Sequence, residues 1–401
     1  MNSSLRASWT WLLGLYTAAS FVETVFWGQM TAFTPLFLRE LGMAAADIPV
    51  MVGIIAAIVG AAGIPFLPLW GALADRYSRQ PLIVRTFLVH LVAGTLAVLA
   101  RNVWVFVLGR ALMSLALGNS GLMLTTLAER TPVQRQGLAF AIMNSAGPVG
   151  AFVGPLLGGP IVDRWGFRTL LLINVVLIVL VVFVLWLGYS DSYRGKSRDS
   201  IVRMATDSVR VSFQAGRLRT LFFALFLLYA GWMLVFSYLP LVITSLYSGT
   251  KPASAIGVVL GAGGLLAMIL SPILGALADR FGHWPILMIG GAIETVLWPI
   301  PFWTRSLIPF AVIACIITGV AAAVFSISFN VLSSSAPSSI RGRVMSFAYL
   351  PVNLGYSFGP MLGSLLVARD LFYIFPAAFL LTGLGLLVLK VARRQPVPAG
   401  E

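Results

Sequence analysis

The six residues GALADR occur twice in this chain, from Gly71 to Arg76 and again from Gly275 to Arg280. Each copy follows one long apolar stretch and precedes another. A second landmark recurs at nearly the same offset, since Gly154-Pro155 returns as Gly359-Pro360. Matching landmarks at a fixed offset are the sign of an internal repeat. The sequence therefore predicts two copies of one structural unit, one in each half of the chain.

The composition excludes a soluble globular protein. Hydrophobic residues make up 59% of the 401 residues and charged residues only 10%, whereas a soluble domain is about 25% charged. The apolar side chains must therefore face lipid. A net charge of +14 would suggest nucleic-acid binding in a soluble chain, but Lys and Arg also collect in the cytoplasmic loops of membrane proteins. A single cysteine, Cys315, excludes an intrachain disulfide and a cysteine-cluster metal site.

Twelve apolar runs are long enough to cross a membrane, because a helix needs about 20 residues to span the hydrocarbon core. We number them spans 1 to 12. An even number places both termini on the same side. Most Lys and Arg residues fall in the N-terminus, the even-to-odd loops and the tail, which predicts that both termini are cytoplasmic. The runs lie near residues 9–38, 48–73, 82–100, 102–128, 137–159, 168–188, 218–246, 253–277, 285–303, 306–333, 343–367 and 370–391.

The long polar interval near the middle of the chain predicts the domain boundaries. We expect a first six-span unit at residues 1–188, a cytoplasmic linker at 189–217 and a second six-span unit at 218–401. Apolar residues within the interval have helical spacing, which favours an amphipathic helix on the inner membrane surface. A solvated linker explains the interval equally well. The predicted fold class is an all-α multi-pass membrane protein of the cell (inner) membrane.

These motifs resemble those of the major facilitator superfamily, over nearly the whole chain. GALADRYSRQ, from Gly71, is similar to the family's signature between spans 2 and 3, and GALADRFGHW, from Gly275, is similar to its second copy. GPVGAFVGPLLGG, Gly147 to Gly159, resembles the span 5 signature associated with proton-coupled antiporters. GRALMS around Arg110 resembles the span 4 motif only in part. The resemblance implies two pseudo-symmetric six-helix bundles around a central cavity.

The resemblance also implies that the two GALADR copies form a cytoplasmic gate. Glycine lets a facing helix approach closely, and a carboxylate can bind backbone N–H groups at a helix N-terminus. Asp75 is then expected near Gly342, and Asp279 near Gly137, holding the cytoplasmic side closed while the outer side is open. The alternative is an ordinary turn with loop charges. The expected gate residues are Gly71, Asp75, Arg76, Arg79, Glu129, Gly275, Asp279 and Arg280.

Two of these gate residues differ between the halves. The first half has Arg79 and Glu129, whereas the equivalent positions in the second half are His283 and Ser334. Because both members are absent together, we predict that Arg79 and Glu129 form an ion pair that fixes the loop after span 2 to the end of span 4. An exposed pair contributes only about 0.2–1 kcal/mol, so its role would be orientation rather than stability.

The glycines of span 5 recur at helical spacing. Gly147, Gly150, Gly154 and Gly158 share one helix face, and we predict that this face packs against span 8, where residues 261–264 read GAGG. Whether the face is a packing seam or takes part in coupling stays open. The residues of the antiporter-type motif are Gly147, Pro148, Gly150, Gly154, Pro155, Gly158 and Gly159.

Glu23 and Glu294 are the acidic residues that fall at mid-span. A carboxylate at the bilayer centre costs at least about 2.5–3.5 kcal/mol, so such a residue is a functional candidate. Burial favours the neutral form of a carboxyl group, which suits Glu23 for taking up and releasing a proton, with Arg110 as its modulating partner. A static ion pair between them is the alternative. Glu294 and its repeat equivalent His90 are expected to be neutral and hydrogen-bonded to neighbouring helices.

The spans expected to line the cavity are aromatic and poor in polar groups, which suits lipophilic and cationic molecules. We therefore predict a secondary transporter that exports such molecules by proton antiport; a proton-coupled sugar or other nutrient carrier, or a flippase for amphiphilic lipids, are the alternatives. The absence of hydrolase, metalloprotease and nucleotide-binding motifs argues against an enzyme. No cofactor, metal or nucleic acid is expected, only a substrate, protons, the bilayer and a single chain. The candidate cavity residues are Trp27, Asn119, Trp232, Tyr238, Asn330, Tyr349 and Asn353.

Overall fold

The computed structural model describes residues 8–66, 78–116, 119–188, 216–337 and 340–396. Within these ranges the chain is helical and contains no β-strand. The predicted gate residues Gly71, Asp75 and Arg76 and almost all of the predicted linker lie outside the described residues.

Each of the twelve predicted apolar runs lies mainly on helix where the structure describes it, and short turns interrupt some of them, as at residues 237–238, 298–299 and 347–349. Short 3₁₀ turns lie at Ile64–Phe66, Ser114–Ala116, Val133–Arg135 and Leu371–Tyr373. The helices are α1 (Trp9–Glu40), α2 (Ile48–Ala62), α3 (Arg79–Leu99), α4 (Val103–Met113), α5 (Asn119–Arg130), α6 (Gln136–Gly188), α7 (Gly216–Phe236), α8 (Leu239–Leu246), α9 (Pro252–Phe281), α10 (His283–Leu297), α11 (Ile300–Thr304), α12 (Leu307–Ser335), α13 (Arg341–Ser346), α14 (Leu350–Val367) and α15 (Ile374–Arg394).

Glycine and proline set the breaks between these helices. α6 contains spans 5 and 6 and bends between them at Gly166, whose φ of 79° is a conformation that only glycine adopts without steric cost. Glu40 at the end of α1 accepts the Phe167 N–H at 3.3 Å and so secures the bend. α7 and α8 are separated just before Pro240, which has no N–H to donate to the preceding turn.

The helix lengths and the exposed side chains are those of a membrane protein. Nine helical segments among the described residues are long and apolar enough to cross one, and the longest of these, Val133–Gly188, covers two predicted spans. Large apolar side chains are exposed on the helix surfaces, including Trp104 and Leu365 at 69% and Phe183 at 62%. Soluble monomers do not expose apolar surface on this scale. The chain is therefore a multi-pass membrane protein; the count of twelve spans and their division into two bundles stay predictions.

The internal repeat appears in how the two halves meet. Gly53 of α2 packs against Pro360 of α14, and Gly257 of α9 packs against Pro155 of α6. These two contacts join equivalent positions of the repeat, with the halves exchanged. A Cβ added to either glycine would lie closer to the proline carbonyl oxygen than Cβ atoms come to atoms outside their own bonded neighbours. The duplicated sequence therefore produces duplicated helix crossings.

The predicted partner of the span 5 glycine face is wrong. A Cβ on Gly154 would lie 3.1 Å from the Cα of Val25, so this face packs on α1 and not on span 8. α9 meets the adjacent face of α6, where a Cβ on Gly159 would lie 2.6 Å from the Ala253 carbonyl oxygen. Since successive residues turn about 100° around a helix, neighbouring glycines in this motif serve two different helices. Gly147 has no described atom within 4 Å of an added Cβ.

Candidate functional site

The Glu23 side chain lies where α1 meets the start of α5. It is partly exposed, and its Oε2 accepts a 2.6 Å hydrogen bond from Nδ2 of Asn119. Asn119 is 4% exposed and begins α5, just beyond the break that ends α4. The Asn119 amide is uncharged. Its hydrogen bond therefore orients the Glu23 carboxylate without neutralising it, although an ionised acceptor makes such a bond stronger. Glu23 is thus a partly buried acid whose side chain is oriented by an amide donor.

Arg110 is a buried cation without a carboxylate partner among the described residues. It is 4% exposed, its Nη1 lies 3.5 Å from the Met113 sulfur, and its guanidinium carbon lies 5.8 Å from the centroid of the Trp27 ring. No ion pair joins Arg110 to Glu23 in the described chain. A desolvated charge is costly unless it is paired, so Arg110 is available to a negative group that approaches it. This conformation keeps the two expected partners apart.

His90 is held by a neighbouring helix, as predicted. Nε1 of Trp27 donates a 3.0 Å hydrogen bond to Nε2 of His90, which is 1% exposed. An indole N–H is only a donor, so Nε2 carries no proton and the imidazole is neutral. The Phe26 ring packs edge-on against His90 with centroids 5.7 Å apart. Trp27, an expected cavity residue, therefore also connects His90 to the guanidinium of Arg110.

The second half contributes aromatic side chains. Trp232 stacks on Phe236 with centroids 4.6 Å apart and lies 6.4 Å from the Tyr356 ring. Tyr349 packs on Phe329 at 4.9 Å and is 51% exposed. These rings offer flat apolar and cation–π surfaces.

The remaining candidate cavity residues have mixed environments. Asn330 is exposed, and the Asn353 amide donates to the Tyr349 carbonyl oxygen at 2.9 Å. Tyr238 is fully buried, and its hydroxyl donates to the Pro360 carbonyl oxygen at 2.9 Å. In this conformation Tyr238 is a packing residue that secures α14, not part of an exposed surface.

The predicted ion pair between Arg79 and Glu129 is present. Two guanidinium nitrogens donate to the two carboxylate oxygens at 2.7 and 2.8 Å. Arg79 begins α3 and its side chain is 7% exposed, whereas Glu129 near the end of α5 is 52% exposed. The bidentate geometry joins the two helices in a fixed orientation.

Asp279 does not make the predicted contact near Gly137. Its side chain is 77% exposed, and it pairs at 3.3 Å with His283, the first residue of α10, across the break at Gly282. Gly137 and Gly275 have no described atom within 4 Å of an added Cβ. Arg280 lies over the Phe281 ring, 5.2 Å from its centroid. α6 and α9 are therefore apart at this end.

Asp163 closes the opposite end of the same two helices. Its carboxylate accepts the Ala253 N–H at 3.0 Å, the Ser254 N–H at 2.8 Å and the Ser254 hydroxyl at 2.5 Å. It thus caps the N-terminus of α9, where free N–H groups and the helix dipole favour an anion. This is the chemistry predicted for Asp75 and Asp279, but at the other end of the molecule. The signal available in the sequence is an acid after span 5 and a helix start at Pro252.

Comparisons with known proteins agree with this architecture. A family model of the Major Facilitator Superfamily matches residues 15–295 and 221–401. The multidrug resistance protein MdtG of Escherichia coli (strain K12 / DH10B) is 26% identical over 376 residues, which cover 93% of this chain and 89% of MdtG.

Solved structures share the fold at low sequence identity. The nucleoside transporter NupG is 15% identical with a TM-score of 0.75, covering 96% of this chain and 100% of NupG. The human organic anion transporter MFSD10 (TETRAN) is 16% identical with a TM-score of 0.71, covering 95% of this chain and 99% of its own. The POT family transporter PepTSo is 16% identical with a TM-score of 0.75, covering 96% of this chain and 99% of its own.

The named solutes of these proteins differ, so the shared fold does not select a substrate. The paired helix crossings, the capped helix end and a family match over nearly the whole length do agree on one architecture. The chain belongs to the major facilitator superfamily and is a membrane transporter, not an enzyme.

Proposed function

We propose that this chain is a secondary active transporter of the inner membrane that exports lipophilic or cationic small molecules in exchange for protons. The observation that carries the proposal is Glu23, a partly exposed carboxylate within a membrane helix, oriented by Asn119. The exposed aromatic surface at Tyr349 and the stacked Trp232 supply an apolar site for such molecules. The relative MdtG carries a multidrug resistance name, which supports export over nutrient uptake.

Exchange follows from competition for one negative charge. A cationic solute near Glu23 is stabilised by the ionised carboxylate, whereas a proton bound to Glu23 removes that stabilisation. Each ligand therefore weakens the other's binding, and this coupling is reciprocal. Arg110, buried and without a carboxylate partner in the described chain, would favour the ionised carboxylate in any conformation that brings the two together.

The described conformation fits one state of alternating access. Asp163 joins α6 to α9 at one end, while Asp279 is free of α6 at the other. With cytoplasmic termini, the closed end is the outer one and the protein faces inward. In the outward-facing state the Asp163 contact is released, and Asp75 and Asp279 make the predicted contacts. The units 1–188 and 218–401 would rock as bodies joined by the linker 189–217, within a single chain.

The test is efflux of a fluorescent lipophilic cation from proteoliposomes under an imposed pH gradient. We expect gradient-driven efflux in the wild type and at least a tenfold loss in Glu23→Gln, which keeps a hydrogen-bond acceptor for Asn119 but cannot ionise. Asp47→Asn is the matched control, since Asp47 is exposed and its side chain caps no helix. It should transport like the wild type.

The outcomes separate the parts of the proposal. Normal efflux in Glu23→Gln keeps export but rejects Glu23 as the coupling residue. Efflux driven equally by a Na⁺ gradient rejects proton specificity. If no such dye moves under any gradient, the substrate class is wrong, and uptake of nutrients or redistribution of lipid becomes the reaction to measure.

A further inference from the structure

An apolar groove runs along the surface of the second half, between α7 and α14. It has a volume of about 800 Å³ and is lined by side chains from residues 219–226 of α7 and residues 350–361 of α14. Phe223, Phe358 and Met361 line it and are 51%, 44% and 59% exposed. In a membrane protein an exposed apolar surface of this kind is a place where another apolar molecule binds.

The groove opens away from the aromatic surface proposed for solutes. Leu354, Phe358 and Met361 are spaced by four and three residues, so they share one face of α14. Tyr356, whose ring lies 6.4 Å from that of Trp232, is on the other side of the helix, because successive residues turn about 100°. A molecule in the groove is therefore in contact with the surrounding bilayer.

The depth of the groove is about that of one membrane leaflet. Residues 350–361 of α14 rise roughly 16 Å at 1.5 Å per residue, and half of a hydrocarbon core of about 30 Å is ~15 Å. α7 runs beside α14 in the same direction, since Gly355 faces Tyr229 and Gly363 faces Tyr238. The groove therefore begins where both helices begin and ends near the middle of the bilayer.

A positive charge lies at the end where the groove begins. Arg219 is in the first turn of α7, is exposed, and is the one charged residue in the two sequence ranges that line the groove. Arg217, two residues earlier, donates instead to the Gln395 carbonyl oxygen at 2.9 Å. With the cytoplasmic termini proposed above, this end lies at the inner leaflet, where anionic lipids give the membrane surface a negative potential.

The internal repeat places a second groove in the first half. It has a volume of about 450 Å³ and is lined by side chains from residues 13–21 of α1 and residues 142–149 of α6. Neither range contains a charged residue. At an offset of 205, most of its lining residues correspond to lining residues of the larger groove, and Gly14 corresponds to Arg219. The two grooves are therefore equivalent in position and differ in charge.

The glycine contacts confirm this offset. Gly154 of α6 faces Val25 of α1, and 205 residues later Gly359 of α14 faces Ala230 of α7. Each groove thus lies beside the same helix crossing, which the chain makes twice. A difference in binding between the two grooves can therefore be assigned to their side chains rather than to the backbone.

We propose that the groove between α7 and α14 binds an anionic phospholipid, with its phosphate at Arg219 and an acyl chain along Phe223 and Phe358. The equivalent groove of the first half binds acyl chains without selecting the headgroup. A zwitterionic headgroup brings its own cation to Arg219, so it is stabilised less than a headgroup with a net negative charge. One Lys or Arg near the membrane surface favours an anionic lipid on the order of fivefold. This inference goes beyond the proposed function, because the lipid is bound and not transported.

Photo-crosslinking in lipid vesicles tests the proposal. Phosphatidylglycerol and phosphatidylcholine that carry the same diazirine acyl chain are added separately, at equal and low mole fraction, to phosphatidylcholine vesicles that contain the protein. Mass spectrometry then measures the adducts on residues 350–361 and on residues 142–149. We expect phosphatidylglycerol to label the α14 range about fivefold more than phosphatidylcholine does, and both lipids to label the α6 range equally.

Three variants assign the preference to the charge. Arg219→Gln should remove the preference for phosphatidylglycerol in the α14 range. Gly14→Arg should create one in the α6 range, since an added Cβ at Gly14 meets no described atom within 4 Å. Arg135→Gln removes an exposed arginine just before α6, outside both grooves, and should be labelled like the wild type.

Three results would overturn the proposal. Equal labelling of the α14 range by the two lipids in the wild type would mean that the groove accepts any acyl chain. A preference that survives Arg219→Gln would come from the net charge of +14 and not from the groove. A preference that excess glycerol phosphate abolishes would mark a site for soluble anions. Because the readout does not use efflux, failure of the export proposal leaves this result unaffected, and the reverse also holds.

Discussion

Two helix pairs make the main contacts between the first half of the chain and the second, α2 with α14 and α6 with α9, and they differ in their polar contacts. Both use a glycine, Gly53 or Gly257, to bring a proline carbonyl into close contact. Only the α6–α9 pair adds a carboxylate, Asp163, that caps the facing helix. The position equivalent to Asp163 in the second half is Ala368. The two halves share the glycine contact with a proline carbonyl, whereas the carboxylate cap is present in the first half only.

The two kinds of contact are expected to have different roles. Glycine contacts are short-range and depend on shape, so they hold helices together in a lipid environment that gives apolar surfaces no other reason to associate. A carboxylate on a helix N-terminus at a loop can exchange its hydrogen bonds for water when the helices part. The glycine pairs should therefore determine stability, and Asp163 the balance between states.

The largest effect is expected from filling a glycine contact. Gly257→Ala should lower stability by about 1–3 kcal/mol, since the added methyl group overlaps the Pro155 carbonyl. Gly53→Ala should behave alike, because it meets the Pro360 carbonyl and the Tyr238 hydroxyl. The measurement is the thermal unfolding midpoint in detergent. Gly275→Ala, in the same helix but free of described contacts within 4 Å, should be neutral or up to about 1 kcal/mol more stable. Equal midpoints for Gly257→Ala and Gly275→Ala would contradict the packing.

Asp163→Asn should shift the balance between states more than the stability. Asn keeps the size but loses the charge and one acceptor, a change of about 1.5 kcal/mol, or roughly tenfold in population. Spin labels on the exposed residues Ala45 and Ser306 should report a larger share of long distances by pulsed electron paramagnetic resonance.

The matched control is Glu40→Gln. Glu40 also accepts a backbone N–H, from Phe167, but within the first half of the chain. Its removal should leave the label distances unchanged. If Asp163→Asn leaves them unchanged as well, the capped helix end is not the closure, and the glycine contacts alone hold that end.

The sequence predicted the features that depend on local patterns of residues. Apolar runs placed the helices, and the joint absence of Arg79 and Glu129 equivalents in the second half predicted their ion pair, now seen at 2.7 and 2.8 Å. These inferences need only hydropathy and the internal repeat.

Contacts between distant helices were beyond such patterns. Gly154 and Gly159 stand in one motif but face different helices, because the direction of each depends on where α1 and α9 lie. Asp163 was missed since its partner at Ala253 is set by the tertiary fold. The separation of Asp279 from α6 is a property of this conformation, and one sequence has to serve every conformation.

A smaller effect is expected at the ion pair that only the first half has. In a double-mutant cycle of thermal unfolding with Arg79→Lys and Glu129→Gln, the coupling energy should be about 0.5–1 kcal/mol, because the pair is bidentate but half-exposed. The same cycle with Asp279→Asn and His283→Gln should give a value near zero, because that pair makes a single 3.3 Å contact and the Asp279 side chain is 77% exposed. Equal couplings would mean that the halves do not differ here.

The smallest effect is expected at Asp370, which repeats the Asp163 chemistry locally. It accepts the Phe372 N–H at 2.9 Å and pairs with Arg305 at 2.8 Å, all within the second half. The Phe372 N–H, aided by Arg305, holds the pKa of the Asp370 carboxyl group below its usual range.

Because the folded state favours the ionised form, Asp370 contributes stability above the unfolded pKa of about 3.9, and this contribution is lost as the pH falls through the lower folded pKa. Asp370→Asn should therefore unfold slightly earlier than the wild type at pH 7, by less than about 1 kcal/mol, and the difference should shrink below pH 4. The label distances at Ala45 and Ser306 should not change. A change in these distances as large as that of Asp163→Asn would show that any carboxylate on a helix N-terminus at this end alters the balance between states. Joining the two halves would then not be what distinguishes Asp163.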